Sequence, residues 1–445
     1  MSILRQKVFL LDIGDRHVVF SGELGFIAEV NPGEKNEVAA YLDSPSFDIK
    51  GLSKIVSGLN PERLNSRPVT DEARIEGKFH PTAVMLFPTL DCQLRCTYCY
   101  SSGGSRKTSM ENEIAKVAID YVADNATEAG IKNCGLELHG GGEPTKNWFV
   151  SEFAITRLED ICEHKGLSPF VSLATNGMLS QQQTRFLADH VSKVQISLDG
   201  PPEIQNAQRP VASGAGSFQV AARAVSDFLA HGLDVTIHSV ITERSAGNIP
   251  EIVRFFCENF PGATIQVEPA FPCGRGLITK ERFPAISSFV RGFVEAISLA
   301  KSFGVELVYS GVDPNLTSIQ SIFCGVTLPN FIVTPTGLVT ACNEVGEVGH
   351  PLARWFIYGS FDLQTKRFVF NQERIKWLQN KAPRFLEQTE CGQCFIYSTC
   401  LGECLVKNLG PDGSRDPSFI NPRCSINREI AKLVICNKIE SGGGE

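Results

Sequence analysis

The sequence lacks three features that would place it in other classes of protein. No apolar run approaches the roughly 18 residues that span a bilayer, so no membrane segment is expected. The net charge of −7 argues against general binding to nucleic acid or to an anionic membrane surface. The N-terminal segment carries Asp12, Asp15 and Arg16 and no small-residue cleavage site, so no secretory signal is expected. These absences predict a cytoplasmic protein with neither a nucleic-acid nor a membrane partner.

Histidine is sparse, with eight scattered residues, whereas cysteine is abundant, with fifteen. Cytoplasmic thiols stay reduced, so metal ligation explains this number better than disulfides do. Some cysteines stand apart from any motif, and these are expected to be small buried hydrophobic residues. They are Cys134, Cys162, Cys257, Cys273 and Cys436.

The 445 residues suffice for two or three domains, and three zones differ in pattern. Residues 1–80 show three strand patterns, then helical patterns and a polar linker, which predict a small α+β domain. Residues 82–310 alternate six strands with helices, so we expect an α/β fold, a partial (β/α)6 TIM-like barrel. Residues 311–445 are rich in Gly, Pro and Cys, with one clear helix near the end. Their short patterns predict no core of their own, so metal is expected to hold this extension together.

Three cysteines crowd into the loop after the first barrel strand. Cys92, Cys96 and Cys99 are separated by three residues and then two. Zinc sites usually draw on four ligands, and no fourth lies nearby in the sequence. Three thiolates on a 4Fe-4S cluster leave one iron with open coordination. The spacing therefore predicts such a cluster at the edge of the barrel where this fold places its active sites.

With Tyr98 between the last two thiols, the pattern C-x-x-x-C-x-aromatic-C resembles the signature of the radical S-adenosylmethionine (SAM) superfamily. In that family the open iron binds the amino and carboxylate groups of SAM. Reductive cleavage of SAM then gives a 5'-deoxyadenosyl radical, which abstracts a hydrogen atom. The resemblance implies SAM as a cofactor, Tyr98 beside the adenine, and an electron donor such as flavodoxin or ferredoxin.

Turns after the next three strands resemble the SAM contacts of the family. The second strand ends in Gly-Gly-Glu-Pro, where glycines allow close backbone approach and the carboxylate can accept from an ammonium group. The third ends in Ala-Thr-Asn-Gly and the fourth in Ser-Leu-Asp-Gly. Each turn taken singly is more often ordinary turn chemistry, but their order after successive strands favours a SAM site. Besides Tyr98, the resemblance implies these cofactor-binding residues: Gly141, Gly142, Glu143, Thr175, Asn176, Ser197, Asp199 and Arg209.

Seven cysteines of the last zone, all but Cys436, follow a regular spacing. Two zinc sites are one interpretation, because Cys-x-x-Cys pairs are common in zinc ribbons. Beside the radical SAM motifs, the arrangement resembles the SPASM extension, which holds two auxiliary 4Fe-4S clusters and would bring the total to three. The resemblance implies Cys391, Cys394, Cys400 and Cys424 for a distal cluster, and Cys324, Cys342 and Cys404 for a nearer one. The nearer cluster then has either an open iron or a fourth ligand such as Cys273.

SPASM enzymes mostly act on peptides or proteins, so the resemblance implies a peptide or protein substrate and a post-translational crosslink or side-chain oxidation. The N-terminal strands are loosely similar to the leader-recognition element of ribosomal-peptide maturases. The same domain could equally be a structural cap on the barrel. No catalytic acid or base is predicted.

Three further functions are compatible with the cysteine pattern. The first is that of a sulfatase-maturing enzyme. Those relatives carry an aspartate directly after the second auxiliary cysteine, where this sequence has Asn343, and a neutral amide cannot accept a proton in that role, although Glu344 follows. The second is that of a non-catalytic iron-sulfur electron-transfer protein, and the third is that of a zinc-stabilised binding protein.

Overall fold

The computed structural model describes residues 8–57, 59, 79–313, 316, 323–381, 390–400, 402–415 and 421–440. The predicted linker, residues 60–78, lies outside the described residues. Within the described ranges, the strands form one sheet of three and one of eleven. No helix in this part of the chain has the length and apolar character needed to cross a bilayer.

The N-terminal zone forms an antiparallel meander followed by two helices, as the sequence predicts. Its elements are β1 (Phe9–Ile13), β2 (Arg16–Ser21), β3 (Phe26–Val30), α1 (Lys35–Asp43) and α2 (Ile49–Ile55). Side chains alternate along β2: Val19 packs with Val38 and Leu52 in a small separate core, whereas Val18 and Phe20 belong to the main core. The sheet is therefore buried on both faces.

The six predicted barrel strands are all present, in parallel and in chain order across the sheet. They are β4 (Ala83–Leu86), β5 (Asn133–Leu138), β6 (Ser168–Thr175), β7 (Lys193–Ser197), β8 (Asp234–Ile241) and β9 (Thr264–Pro269). A short seventh strand that was not predicted, β10 (Leu307–Val308), pairs in parallel with β9. The helices of this zone are α3 (Asn112–Glu128), α4 (Trp148–Lys165), α5 (Gln181–His190), α6 (Pro202–Gln208), α7 (Phe218–Ala230), α8 (Ile249–Asn259), α9 (Arg275–Ile278) and α10 (Ile286–Ser302).

Period-two alternation makes one face of the barrel strands apolar and the other polar. Along β9, Ile265 and Val267 are buried in the main core, while Gln266 and Glu268 lie on the opposite face. There the Gln266 amide donates to Glu268 at 3.1 Å and accepts from Gln195 of β7 at 3.0 Å. The inner face of the barrel therefore carries hydrogen-bonding groups.

The C-terminal zone extends the same sheet. The strand β11 (Ile332–Val333) pairs in parallel with β4, and β12 (Leu338–Thr340), β13 (Ile357–Asp362) and β14 (Arg367–Phe370) follow in antiparallel pairs. Its helices are α11 (Ala353–Phe356), α12 (Gln372–Gln379), α13 (Tyr397–Cys400), α14 (Leu405–Asn408) and α15 (Pro422–Glu440).

The expectation that something other than hydrophobic burial holds this zone is wrong, and the expected metal stays a prediction. Val333, Val339, Phe356, Ile426 and Ile430 are buried in the core cluster that also contains the barrel residues. Short strands and one helix face suffice because they pack onto the barrel, so no separate core is needed.

The N-terminal domain packs against the C-terminal zone. Phe20 of β2 meets the ring of Phe395 edge-on at 6.0 Å. Arg16 of the same strand pairs with Glu440 of α15 at 3.2 Å. Its described contacts therefore reach the segment that carries the distal cysteines.

All fifteen cysteines are free thiols. Cys134, Cys162 and Cys257 are buried in the main core, as predicted, whereas Cys273 and Cys436 are only half-buried.

Candidate active site

The predicted site residues lie at one edge of the barrel, where its parallel strands end. Residues 87–111, hereafter the thiol loop, follow β4 and carry the first three cysteines. The Gly-Gly-Glu-Pro turn follows β5, the Thr-Asn-Gly turn lies at the end of β6, and the Ser-Leu-Asp-Gly turn lies at the end of β7. The segment FPCGRG begins where β9 ends. Barrels of this type bind their ligands at this edge.

Gly142 fixes the position of the thiol loop. A Cβ atom at this residue would stand 2.2 Å from the carbonyl oxygen of Asp91, which is closer than the two atoms can approach. The adjacent N–H of Glu143 donates to the same carbonyl at 2.8 Å. Only glycine allows this contact, so the turn after β5 and the thiol loop are packed backbone to backbone.

Hydrogen-bond donors point at the sulfurs of the thiol loop. The N–H of Leu94 and the side-chain amide of Asn176 approach Cys92 Sγ at 3.4 and 3.6 Å. The N–H of Gly103 approaches Cys99 Sγ at 3.3 Å. Donors of this kind stabilise the sulfur ligands of iron-sulfur clusters, so these residues fit a 4Fe-4S cluster.

The metal-free thiols are weak acids. Burial raises the pKa of Cys92 to about 11, and the carboxylate of Glu143 adds to the rise. Burial also raises the pKa of Cys96 to about 12, against the opposing effect of the Arg209 guanidinium. Both sulfurs hold a proton at neutral pH, so loading a metal on them must release protons.

Glu143 connects two of the predicted SAM turns. Its buried carboxylate accepts from the Thr145 N–H at 3.2 Å and from the Thr145 hydroxyl at 2.7 Å. It also accepts from the Thr175 hydroxyl and the Asn176 N–H, each at 2.8 Å. Burial outweighs these bonds and raises the pKa of Glu143. Glu143 is thus a positioning residue that ties the turn after β5 to the end of β6.

Asp199 has the same kind of role at the end of β7. Its carboxylate is fully buried and accepts from the Tyr98 hydroxyl and from the Gln208 amide, the latter at 2.7 Å. It also accepts from Arg209 Nε and the Val240 N–H, each at 3.0 Å. Four donors from three segments converge on one carboxylate, so Asp199 organises this side of the site.

Arg209 lies between Asp199 and the first thiols. Its guanidinium carbon is 5.2 Å from the centre of the Tyr98 ring, and Nη1 is 4.0 Å from Cys96 Sγ. Burial alone would lower the pKa of Arg209, but the carboxylate of Asp199 raises it above its ordinary value. A permanent positive charge therefore stands beside the predicted cluster.

The other predicted SAM residues lie at the same edge. The carbonyl of Gly141 accepts from the Ser101 hydroxyl of the thiol loop. Thr175 is the last residue of β6, and the half-buried Ser197 is the last residue of β7. The structure brings all of the predicted SAM residues together, and their contacts with SAM stay a prediction.

Cys324, Cys342 and Cys404 form a second group of thiols, the near set. Burial raises the pKa of Cys342 to about 12, with further rises from Glu344 and Cys324. Burial also raises the pKa of Cys404 well above its ordinary value, and its neighbours Glu344 and Cys342 add to the effect. Cys342 thus lies within electrostatic range of both Cys324 and Cys404.

Cys391, Cys394, Cys400 and Cys424 form the distal set. Burial raises the pKa of Cys424 to about 11, and the charge of Cys391 adds to it. Burial raises the pKa of Cys400, where Cys424 and Cys394 contribute. The Asn427 amide also donates to Cys400 Sγ at 3.3 Å, a contact that suits a cluster ligand.

These groups have the composition that the SPASM resemblance implies, and their ligand roles stay a prediction. Within the described ranges, no three or more Cys, His, Asp and Glu side chains lie close enough together for a single metal ion.

Cys273 lies between the thiol loop and the near set. Lys407 Nζ is 3.7 Å from its sulfur and pairs with Glu344. Burial raises the pKa of Cys273, and the charges of Glu344 and Cys99 add to the rise while that of Lys407 opposes it. Its segment is fixed to the thiol loop, because the Arg275 N–H donates to the Cys99 carbonyl at 2.9 Å.

Residues 86–256 match the Radical SAM superfamily. That span contains the three thiols and the turns at the ends of β5, β6 and β7. Residues 86–256 form a radical SAM domain.

Two relatives support this assignment. The radical SAM chain is 27% identical over 351 residues to mycofactocin maturase MftC of Mycobacterium ulcerans, covering 73% of this chain and 85% of that protein. It is 27% identical over 338 residues to a cysteine-type anaerobic sulfatase-maturating enzyme of Clostridium perfringens, covering 73% of this chain and 89% of that protein.

Two solved structures share the radical SAM fold. Native anSMEcpe with bound AdoMet and the Cp18Cys peptide has a TM-score of 0.63 at 21% identity, covering 82% of this chain and 100% of that one. Streptococcus suis SuiB bound to the precursor peptide SuiA has a TM-score of 0.54 at 13% identity, covering 92% of this chain and 98% of that one. The α/β class and the partial barrel are thereby confirmed.

Three residues of the radical SAM site were not predicted. Arg95 donates to the Cys92 carbonyl at 2.8 Å and to the Gly104 carbonyl at 3.1 Å. Arg275 donates to the carbonyls of Cys96 and Gly103, and Gln208 holds Asp199. Arg95 lies between two of the cysteines and Arg275 between two glycines after a barrel strand, so position alone could have singled them out. The sequence gives no comparable indication for Gln208, except that it directly precedes Arg209.

Proposed function

We propose that this radical SAM enzyme modifies a peptide or protein by abstracting a hydrogen atom from it. The observation that carries the proposal is the set of three half-buried thiols at the strand ends, with N–H donors directed at the sulfurs of Cys92 and Cys99. The relatives support a peptide substrate, because MftC and the sulfatase-maturating enzyme are both maturases by name and SuiB is bound to a precursor peptide.

The residues of the thiol loop would hold the first cluster and leave one iron for SAM. When bound, the cluster and SAM supply the 5'-deoxyadenosyl radical that abstracts the hydrogen atom. Glu143 and Asp199 hold the ends of β5, β6 and β7 in position around the first cluster. Arg209 would place a positive charge beside the carboxylate of SAM. An electron donor such as flavodoxin or ferredoxin would supply the electron.

The near and distal sets would each hold an auxiliary 4Fe-4S cluster, which brings the total to three. Anaerobically reconstituted protein should then contain about 12 iron atoms per chain, four for each cluster. With dithionite and SAM it should release 5'-deoxyadenosine. Colourless protein that holds zinc would contradict the proposal. Brown protein that releases no 5'-deoxyadenosine would point to an electron-transfer protein.

Cys273 is our candidate for the fourth ligand of the near set. The ammonium group of Lys407 lies beside its sulfur and also lowers the pKa of Cys342 and Cys404, against the rise caused by burial. We expect Cys273→Ala to change the electron paramagnetic resonance of the near cluster and to leave the other two signals unchanged. A wholly unchanged spectrum would instead mean an iron open to the substrate. Cys436→Ala, which removes another half-buried thiol, is the matched control.

The N-terminal domain would recognise the substrate. Its three-stranded sheet has the order β1-β2-β3, so an extended peptide could add to an outer strand. The likeness to SuiB extends over 92% of the chain, which includes part of this domain at least.

Sulfatase maturation is the second candidate, and one relative carries that name. Asn343 weighs against it, since its amide cannot act as the base and its Oδ1 accepts from the Cys342 thiol at 3.7 Å. Mass spectrometry of a candidate peptide after turnover separates the outcomes. A crosslink removes two hydrogen atoms, whereas the conversion of a cysteine to formylglycine, the expected product of a cysteine-type sulfatase-maturating enzyme, also replaces its sulfur by oxygen.

A further inference from the structure

One residue between the near and distal sets has an unusual backbone. Glu403 lies in the segment between Cys400, of the distal set, and Cys404, of the near set. Its φ of +66° is in the left-handed region, which costs energy for any residue but glycine. Its side chain is also buried, with the residue 3% exposed. Glycine would adopt this backbone conformation without strain, so the buried glutamate side chain is expected to have a function of its own.

The carboxylate of Glu403 is held from two sides. Oε1 accepts from Arg423 Nε, and Oε2 accepts from the Cys404 N–H at 2.6 Å. Arg423 lies in the first turn of α15, directly before Cys424. Each partner of Glu403 therefore adjoins or is a residue of one thiol set.

Arg423 is itself buried and fully engaged. Its Nη1 donates to Glu268 at 2.9 Å, its Nη2 donates to the Ser310 hydroxyl at 2.8 Å, and its guanidinium lies 5.1 Å from the centre of the Tyr309 ring. Two carboxylates, Glu403 and Glu268, thus face one guanidinium. With both carboxylates ionised, this buried group carries a net charge of −1.

Glu403 contacts a residue of each set. Its N–H donates to the carbonyl of Cys400, in the distal set, at 3.1 Å, and its carboxylate accepts from the N–H of Cys404, in the near set. A charge at this position is poorly screened, because the Glu403 side chain is buried.

We propose that Glu403, held by Arg423, lowers the reduction potential of both auxiliary clusters and so couples them electrostatically. A fixed negative charge disfavours the addition of an electron to a neighbouring cluster. One side chain would then set both potentials together. This inference rests on the proposed function, which supplies the two clusters.

The test is a redox titration of the holoenzyme followed by electron paramagnetic resonance. We expect Glu403→Gln to raise both auxiliary potentials, so that the reduced-to-oxidised ratio at a fixed solution potential rises about tenfold, or about 59 mV for one electron. The cluster of the thiol loop should not move. Glu403→Asp keeps the charge and should stay close to the wild-type potentials.

Glu344→Gln is the matched control. Glu344 lies two residues after Cys342, and its carboxylate pairs with Lys407, three residues after Cys404, so the change should move the near cluster alone. If Glu403→Gln moves neither auxiliary potential, or only one, the inference is overturned. If Glu403→Gln fails to load its clusters, Arg423→Gln is measured instead, because it removes a positive charge and should lower both auxiliary potentials. If the two potentials do not fall in that variant, the inference is overturned. Wild-type protein that lacks auxiliary iron would instead contradict the proposed function.

Discussion

Replacement of Cys92, Cys96 and Cys99 together by alanine is expected to abolish SAM cleavage while the chain stays folded. The three sulfurs lie in the thiol loop and outside the main core cluster, so their loss should cost little stability. The formation of 5'-deoxyadenosine should fall to background. Iron should fall by about four atoms per chain, the content of one cluster.

Cys257→Ala is the control for this experiment. Cys257 is buried in the main core and belongs to none of the three thiol groups. Its replacement should cost about 1 kcal/mol of stability and leave both iron and SAM cleavage unchanged. SAM cleavage that survives the triple replacement would refute the assignment of the first cluster to the thiol loop.

Asp199→Asn is expected to lower the free energy of unfolding by about 3–5 kcal/mol, because it leaves the buried Arg209 charge without its partner. The carboxylate side chain is 0% exposed and the arginine side chain 8%. Asparagine also offers a single acceptor oxygen where several donors converge, including Tyr98 and Gln208. Urea unfolding of the metal-free protein, followed by circular dichroism, measures the loss.

The exposed ion pair of Lys193 and Asp234 provides a comparison of the same chemistry. Its side chains are 43% and 54% exposed, so Asp234→Asn should cost about 0–1 kcal/mol. A loss below about 1 kcal/mol for Asp199→Asn, no more than an exposed pair contributes, would show that Asp199 does not organise the site. If both substitutions lower the free energy of unfolding by several kcal/mol, burial of the ion pair is not the reason for the loss at Asp199.

The barrel could be predicted from sequence because its strands repeat a simple pattern. In β5, for example, Cys134, Leu136 and Leu138 alternate with residues of the other face, and helices separate successive strands. The strand β10 has two residues, and so does β11, which is too short for any periodicity. Their pairing depends on neighbours far away in the chain, and a local pattern carries no information on it.

The position of the site at the strand ends could be predicted from sequence, but the hydrogen-bond partners of its individual side chains could not. Glu143 and Asp199 follow from motifs, yet their hydrogen-bond partners come from distant segments such as Asn176 and Val240. The strain at Glu403 is a property of the folded backbone. Such features depend on tertiary contacts, which spacing along the sequence does not encode.

The division of seven C-terminal cysteines between the near and distal sets has a consequence for synthesis of the protein. The first three thiols are all present once residue 99 has been made. The near set needs Cys404, and the distal set begins earlier, at Cys391, but ends with Cys424. The proposed near site therefore cannot be completed before residue 404 has been made, and the helix that begins at Pro422 supplies the last thiol of the proposed distal site.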